Sequence, residues 1–156
     1  MALRPGSAEA LNGLGDTLLK AQQPGAAAPI FQLAVQSDSG DVEAWRGLFL
    51  AQQQTGQAAL ALSTDRRIPL AAHTQLMSDP LFLRALASAY SAAGRDDEAQ
   101  ALLASALNLP FPADAKGVKL DTQFQFAGIL LATGHMEQAA ALYRQVLAQD
   151  LSLIHI

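Results

Sequence analysis

The chain has 156 residues, of which 51% are hydrophobic and 15% charged, a composition typical of closely packed helices and not of a disordered, charged segment. A net charge of −4 and the lack of any lysine or arginine cluster disfavour nucleic acid and anionic membrane surfaces as partners. Because cysteine is absent, disulfides, thiolate catalysis and thiolate metal sites are excluded.

The beginning of the chain reads as the end of an earlier structural unit. Residues 1–7 resemble the last turn of a helix closed by Pro5, with Ser7 available to cap the helix that follows. The N-terminus shows no basic region followed by an apolar run, and no apolar run approaches the roughly 20 residues that span a bilayer. We therefore expect the sequence to begin inside a longer helical array.

Two helices are predicted before residue 41. The first spans residues 8–21 and carries leucines at helical spacing on one face. Its partner covers residues 24–36, since proline is tolerated in the first turn of a helix and Pro24 stands there.

The next stretch is less regular. A helix is predicted over residues 42–54, and a second helix begins at residue 57. In that second helix Asp65 stands where a large apolar residue is expected, and Pro69 must end the helix. Residues 70–77 are expected to add a short helix.

Two further helix pairs are predicted in the second half of the chain. They cover residues 80–93 with 96–108, and residues 121–133 with 136–149. Between them the sequence LPFPADAKGVKLD carries two prolines and a glycine, so we expect a linker there.

An alanine recurs in the second helix of each pair. The four alanines follow one another at spacings of 34, 38 and 40 residues: Ala27, Ala61, Ala99 and Ala139. Five residues before each alanine stands the residue of the turn: Gln22, Gly56, Gly94 and Gly134. Glycine takes the left-handed conformation that ends a helix, and a period near 34 residues built from helical hairpins indicates a repeat array.

These segments resemble the tetratricopeptide repeat family. The resemblance is carried by ALNGLGDTLLKAQQPGAAAPIFQLAV, AWRGLFLAQQQTGQAALAL, FLRALASAYSAAGRDDEAQALLASAL and FQFAGILLATGHMEQAAALYRQVL. It implies an all-α, right-handed α-solenoid of about four helix-turn-helix units, the second of them degenerate. The units are expected at residues 8–41, 42–79, 80–119 and 120–150.

No constellation in the sequence predicts catalysis, a metal site or a cofactor. His73 and His135 lie far apart without metal-ligand spacing, so we interpret each as a surface or helix-end residue. The acidic run that begins at Asp96 opens a helix, where negative side chains favour the positive end of the helix dipole. The charge run DRR that begins at Asp65 is interpreted as a solvated face. The chain is therefore predicted to be non-enzymatic.

The family resemblance implies a concave groove formed mostly by the first helix of each unit. It assigns the partner-binding residues to these helices: Asn12, Asp16, Lys20, Arg46, Gln53, Arg84, Ser88 and Phe124. The same carry-over adds neighbouring positions: Glu9, Glu43, Leu50, Leu81, Asp121 and Gly128. Protein partners are expected to bind in this groove.

Two alternatives limit this interpretation. Arg46 and Arg84 are explained equally well without a partner, since they could solubilise their helices or pair with Glu9 and Glu43. Repeats that clamp a peptide's terminal carboxylate need lysine and asparagine on adjacent first helices, and Asp16 stands where the key asparagine would be. A chaperone-tail adaptor is therefore disfavoured.

A closer resemblance covers residues 1–150. The segments VEAWRGLFLAQQQTGQ and STDRRIPLAAHTQLMSDPLFLRALASAYSAAGRDDEAQ are similar to the periplasmic repeat region of the outer-membrane export proteins of bacterial cellulose synthase complexes. This similarity implies a periplasmic scaffold, attached to an outer-membrane barrel in the full-length protein, that binds the components of a polysaccharide synthesis and export complex. Contact between the groove and glucan is left open. The alternatives are a cytoplasmic repeat adaptor, or the repeat arm of a larger enzyme such as a protein glycosyltransferase.

The last six residues break the pattern. The sequence LSLIHI stands where the repeat calls for proline, and it resembles the translated end of a sequencing adapter. We therefore expect residues 151–156 to contribute nothing to folding or function.

Overall fold

A computed structural model describes the backbone of residues 7–154 and the side chains of residues 7–149. Within that range the chain forms nine helices and no strand: α1 (Ser7–Lys20), α2 (Pro24–Ser37), α3 (Val42–Gln54), α4 (Ala58–Arg67), α5 (Leu70–Leu76), α6 (Pro80–Ala92), α7 (Asp96–Leu107), α8 (Lys116–Ala132) and α9 (Met136–Ile154). The predicted all-α fold is confirmed. No helix that the described residues form is both long and apolar enough to cross a bilayer.

The helices divide into two compact units, one ending at Ser78 and the other beginning at Asp79. In the first unit α1 pairs with α2 and α3 with α4, while α2 also packs against α3, and α5 lies on α3. In the second unit α6 pairs with α7 and α8 with α9, and α7 packs against α8. Each unit is therefore a stack of two helical hairpins. We call α1, α3, α6 and α8 the first helices and α2, α4, α7 and α9 the second helices.

Each hairpin turns at a residue with positive φ. The angles are 58° at Gln22, 79° at Gly56, 76° at Gly94 and 87° at Gly134. In every turn the N–H of the following residue donates to the carbonyl five residues earlier, at 2.7 to 3.0 Å. This bond satisfies one of the carbonyls that a helix end leaves unpaired. The four predicted turn positions are confirmed.

Gly94 offers a direct test of this turn. Alanine in the left-handed conformation brings Cβ close to the following carbonyl oxygen, at a cost of about 1 to 2 kcal/mol. We expect Gly94→Ala to lower the free energy of unfolding in urea by about that amount, whereas Gln22→Gly should raise it slightly. Gly25→Ala is the control, because the space beside this glycine is open and its φ is not positive. An unchanged urea midpoint for Gly94→Ala would contradict the turn.

One aromatic ring joins the two hairpins of the first unit. Phe31 of α2 is fully buried, with Gly15 of α1 and Gly47 of α3 on either side of its ring. A Cβ atom built on Gly15 would come within 2.5 Å of Phe31 Cζ, and one built on Gly47 would come closer still. The ring fills a slot between two first helices that only glycine leaves wide enough.

The recurrent alanines are also buried. Ala27, Ala61 and Ala99 have no exposed surface, and Ala139 is nearly buried. Around Ala99 the second unit forms a core cluster with Ala87, Leu103 and Ile129. The predicted small-residue contact is therefore confirmed in every hairpin.

Two helix boundaries differ from the predictions by five residues, and the others by at most one. Helix α8 begins at Lys116, five residues before the predicted start, because no proline follows Pro112 and the hydroxyl of Thr122 donates to the carbonyl of Val118 in the added turn. Helix α9 continues to Ile154, since neither proline nor glycine follows residue 149. The expectation that residues 151–156 contribute nothing stays a prediction, and residues 1–6, 155 and 156 lie outside the described residues.

Candidate partner-binding surface

The first unit carries one set of the predicted groove residues on two neighbouring helices. Helices α1 and α3 contact each other. Asn12, Asp16 and Lys20 follow one another at intervals of four on α1, so they share a face, and Arg46 and Gln53 lie seven apart on α3. Asp16 and Lys20 are exposed and the other three are partly exposed. This set presents mixed charge and amide groups to solvent.

Asn12 also has a structural role that the sequence did not reveal. Its Nδ2 donates to Asp41 Oδ2 at 2.7 Å, while Asp41 Oδ1 accepts from the N–H of Glu43 at 3.1 Å and caps α3. The Oδ1 atom of Asn12 is buried and accepts no hydrogen bond from the described residues. Asn12 therefore ties α1 to the start of α3, besides lying on the predicted surface.

The second unit carries the remaining predicted groove residues. Ser88 Oγ donates to the carbonyl of Arg84 at 3.2 Å and accepts from Gln125 Nε2 at 2.8 Å, so it joins α6 to α8. Arg84 is partly exposed, but its Nε atom is buried and makes no hydrogen bond within the described residues. Phe124 is exposed and meets Tyr143 edge-on, with ring centroids 5.5 Å apart. This surface offers a guanidinium group and an aromatic ring.

Four of the predicted residues occupy one register position. Asn12, Arg46, Arg84 and Phe124 each stand 15 residues before the recurrent alanine of their hairpin. Because all four turns share one backbone geometry, this position recurs at the same place on each first helix. The eight predicted groove residues therefore fall into two sets, five in the first unit and three in the second. Whether they bind a partner stays a prediction.

A cavity of about 340 Å³ lies beside α2 and α3 and was missed in the sequence. Its lining combines small and apolar groups with amides and a hydroxyl, without a charged side chain: Gly25, Ala28, Pro29, Gln32, Leu48, Gln52, Thr55 and Gln57. Part of the hydrogen-bonding capacity is used internally, because Thr55 Oγ1 donates to the carbonyl of Gln52 and Gln52 Oε1 accepts from Thr64. The cavity contains none of the predicted groove residues.

Asp65 corrects the prediction of a solvated charge run. It is buried, because it follows Ala61 by four residues and so lies on the face that α4 turns to the core. Its Oδ1 atom lies 3.1 Å from Nε2 of His73, so neither residue is isolated. Burial raises the pKa of Asp65 above its ordinary value of 3.8, and the neighbouring His73 and Arg66 partly oppose this rise.

Because the pKa of Asp65 is raised, we expect Asp65→Asn to stabilise the fold by an amount that depends on pH. Between the ordinary pKa and the raised one, the folded state holds a proton that the unfolded state has lost, so the stability contributed by Asp65 falls as the pH rises through this window. The amide of Asn still accepts a hydrogen bond from His73 and cannot ionise. We expect the free energy of unfolding of the variant to exceed that of the wild type by an amount that grows with pH above 3.8 and then levels off.

Urea unfolding of both proteins from pH 3.5 to pH 8 measures this difference. Asp16→Asn is the matched control, because it removes an exposed carboxylate from the same unit. A difference between Asp65→Asn and the wild type that did not change with pH would contradict the assigned effect of burial.

The acidic run at the start of α7 is engaged in local contacts. Ser91 Oγ donates to Asp96 Oδ1 at 2.8 Å, and Arg95 donates to Glu98 from Nε at 3.1 Å and from Nη2 at 2.7 Å. The hydrogen bond from Arg95 lowers the pKa of Glu98. The run opens α7 as predicted. Across the part of the chain that the structure describes, no three acidic or histidine side chains converge to hold a metal ion.

Comparison with known proteins supports the assignment of one hairpin to the repeat family and supports the fold of nearly the whole chain. Residues 83–112, which contain most of α6 and all of α7, match the family described as Tetratricopeptide repeat. No curated protein sequence matches the chain.

Several solved structures share the fold. MamA from Desulfovibrio magneticus RS-1, residues 41 to the end, is 16% identical with a TM-score of 0.76 over 95% of this chain and 78% of its own. The Yersinia enterocolitica type III secretion chaperone SycD, in complex with a peptide of the translocator YopD, is 20% identical with a TM-score of 0.70 over 83% and 97%. PilF of Pseudomonas aeruginosa is 18% identical with a TM-score of 0.70 over 91% and 60%. At these identities the likeness establishes the fold alone.

Proposed function

We propose that the chain is a non-catalytic scaffold that binds a segment of a partner protein along its first helices. The observation that carries this proposal is the common register of the four hairpins, which repeats one surface position on α1, α3, α6 and α8. Repeated helical hairpins use such surfaces to hold extended or helical segments of other proteins. Binding through a surface position that recurs on each first helix requires no catalytic side chain.

The residues at the shared position define the chemistry of the partner. Arg46 and Arg84 offer guanidinium groups on the first helix of their hairpins, and such groups bind carboxylates and backbone carbonyls with fixed geometry. Phe124 adds an exposed ring at the same position of the last hairpin. A segment with acidic side chains fits the first unit, and a segment with an acidic and an apolar side chain fits the second.

The solved SycD complex lends independent support. That chaperone shares the fold over 83% of this chain and is bound to a translocator peptide. We extend to this chain the general property that the fold accommodates a peptide, and not the identity of the peptide.

The finer context of the proposal rests on the sequence resemblance to the outer-membrane export proteins of bacterial cellulose synthase complexes. In this context the scaffold is periplasmic, belongs to a protein with an outer-membrane barrel, and recruits components of a cellulose or exopolysaccharide export complex. Reading the full-length gene tests the context. Further repeats followed by alternating strands of a barrel support it, whereas a catalytic domain after the repeats would favour the arm of an enzyme.

Charge reversal at the shared position is expected to weaken binding. Peptides selected from a random display library on the wild-type chain would be measured by fluorescence anisotropy against Arg46→Glu and Arg84→Glu. Each variant should lose about tenfold in affinity, the equivalent of 1.4 kcal/mol, because a charge-assisted hydrogen bond becomes a repulsion.

The matched control is Arg66→Glu, which reverses an exposed charge on the second helix α4. Its affinity for the same peptides should stay close to that of the wild type. Circular dichroism would confirm equal helicity in all three variants. Affinities for Arg46→Glu and Arg84→Glu that match the wild type would remove the shared position from the binding surface.

A further inference from the structure

The cavity of about 340 Å³ beside α2 and α3 differs in chemistry from the predicted groove. It lies where the two hairpins of the first unit pack together, so both of its walls belong to helices inside that unit. Helix α2 forms one wall, and α3 with the residue before α4 forms the other. Cavities of about 300 Å³ and more hold small molecules in proteins, so the space is large enough for a ligand.

Gln52 is the fixed polar group of this cavity. Its side chain is 5% exposed, and its Oε1 atom accepts a hydrogen bond from the hydroxyl of Thr64, a fully buried residue of α4. This bond sets the orientation of the carboxamide and leaves Nε2, with its two N–H groups, as the atom that can serve a ligand. Gln52 therefore offers hydrogen-bond donors whose direction is set before a ligand arrives.

Two further carboxamides line the cavity at more accessible positions. Gln32 of α2 is partly exposed and Gln57 is exposed, and each can both donate and accept. Pro29 and Leu48 supply apolar surface on the two walls. Among the described residues that line the cavity, none carries a charge. The cavity therefore combines carboxamides with an apolar surface.

This lining restricts the chemistry of a ligand. A charged ligand would lose its hydration without meeting an opposite charge, which is unfavourable. An entirely apolar ligand would cover the N–H groups of Gln52 without replacing the hydrogen bonds that they make with water. A ligand that carries neutral hydroxyl groups on an apolar ring avoids both costs.

We infer that the cavity binds a neutral sugar, either a free monosaccharide or one unit of a glycan. Sugar hydroxyls donate and accept, so they match the carboxamides, and the C–H face of the ring can pack on Pro29 and Leu48. The lining spans about two turns of α2, from Gly25 to Gln32, which suits a ring better than an extended peptide. The inference uses no residue of the proposed partner-binding surface, so either can fail while the other holds.

Nuclear magnetic resonance of the full ¹⁵N-labelled chain tests the inference. Glucose, galactose, mannose and N-acetylglucosamine are the neutral probes, glucuronate is a charged analogue, and cyclohexanol is an apolar ring with one hydroxyl. At least one neutral sugar should shift the side-chain amide signals of Gln32 and Gln52, with a dissociation constant in the millimolar range. Glucuronate and cyclohexanol should bind at least about tenfold more weakly than that sugar.

The size of the natural ligand follows from one more titration. The best-bound sugar is compared with a linear tetrasaccharide of the same unit. A higher affinity for the single sugar supports a free monosaccharide, whereas a higher affinity for the tetrasaccharide supports a glycan.

Three variants test the lining directly. Gln32→Leu removes a carboxamide, and Gly25→Leu fills the cavity from the open space beside this glycine. Gln52→Glu keeps an acceptor for Thr64 but removes the N–H donors. Each variant should weaken sugar binding by at least about tenfold. Gln32→Leu and Gly25→Leu change positions that are not buried, so they should stay folded even if the buried charge of Gln52→Glu prevents folding.

Matched controls make the same replacements on α2 outside the cavity. Gln36→Leu changes an exposed glutamine one turn after Gln32, and Ala26→Leu adds leucine at the exposed neighbour of Gly25. Both controls should bind the sugar as the wild type does, with equal helicity by circular dichroism.

The inference has clear contrary outcomes. Unchanged signals of Gln32 and Gln52 with all four neutral sugars, at tenfold the expected dissociation constant, would overturn it. Binding that survives both Gln32→Leu and Gly25→Leu would overturn it equally, as would glucuronate bound as tightly as the neutral sugars. A library-selected peptide that shifts these signals when no sugar does would assign the cavity to peptides instead.

Discussion

Replacing Phe31 with alanine is expected to lower the free energy of unfolding by about 3 to 5 kcal/mol. The ring has no exposed surface and fills the slot between Gly15 and Gly47, so its removal leaves a cavity that both flanking helices line. Neither glycine can fill that space, because neither has a side chain. Urea unfolding followed by circular dichroism measures the loss.

The complementary substitution fills the slot from the other side. Gly47→Ala places a methyl group against the buried ring, and overpacking of this kind costs about 1 to 3 kcal/mol. The matched control is Gly13→Ala, at the same register position of α1, where the space is open. There alanine should raise stability by up to about 1 kcal/mol through its higher helix propensity. Equal changes in the free energy of unfolding for the two substitutions would contradict the claim that the ring of Phe31 fills a slot at Gly47.

Ala99→Leu is expected to cost about 1 to 3 kcal/mol in the second unit. Ala99 has no exposed surface and packs with Ala87, Leu103 and Ile129, so three added carbon atoms have no space. The substitution should force α7 away from its neighbours. Ala139 of α9, which is nearly buried at the same register position, should behave in the same way.

The control for this prediction lies two residues away. Ala101 is exposed on the same helix, so Ala101→Leu adds an identical side chain without meeting the core. Thermal unfolding should leave its midpoint close to that of the wild type, whereas the midpoint of Ala99→Leu should fall. An Ala99→Leu variant as stable as the wild type would remove the basis for aligning the hairpins on their alanines.

The hairpins could be located from the sequence because their signals are local and repeated. A residue that ends a helix, followed five positions later by a small residue, identifies each turn, and the positive φ at Gln22 shows that the register outweighs the preference for glycine. The same regularity placed helices α3 and α6 within one residue of their observed ends. Repetition compensates for the weakness of any single signal.

What the sequence could not show depends on contacts between distant residues. Asp65 reads as part of a charged, solvated run, yet helix geometry turns it inward and α5 brings His73 beside it. The hydrogen bond between Asn12 and Asp41 joins residues 29 positions apart, so no local sequence pattern predicts it. The cavity beside α2 and α3 arises from the space between helices and not from any motif.

The candidate surface was predictable in position but not in detail. The register places the residue 15 positions before each alanine on the first helix, so four of the predicted residues were located by counting. Counting cannot reveal that Ser88 is engaged between Arg84 and Gln125, or that Phe124 meets Tyr143. These contacts depend on side-chain conformations that only neighbouring helices determine.

Binding along the first helices is tested most directly by nuclear magnetic resonance. The ¹⁵N-labelled chain would be titrated with a peptide selected from the display library, and the amide shift changes mapped onto the helices. The proposal predicts the largest changes on first helices, around Arg46 in the first unit and around Arg84 and Phe124 in the second. Changes confined to the second helices, or to the cavity lined by Gln32 and Gln57, would contradict it.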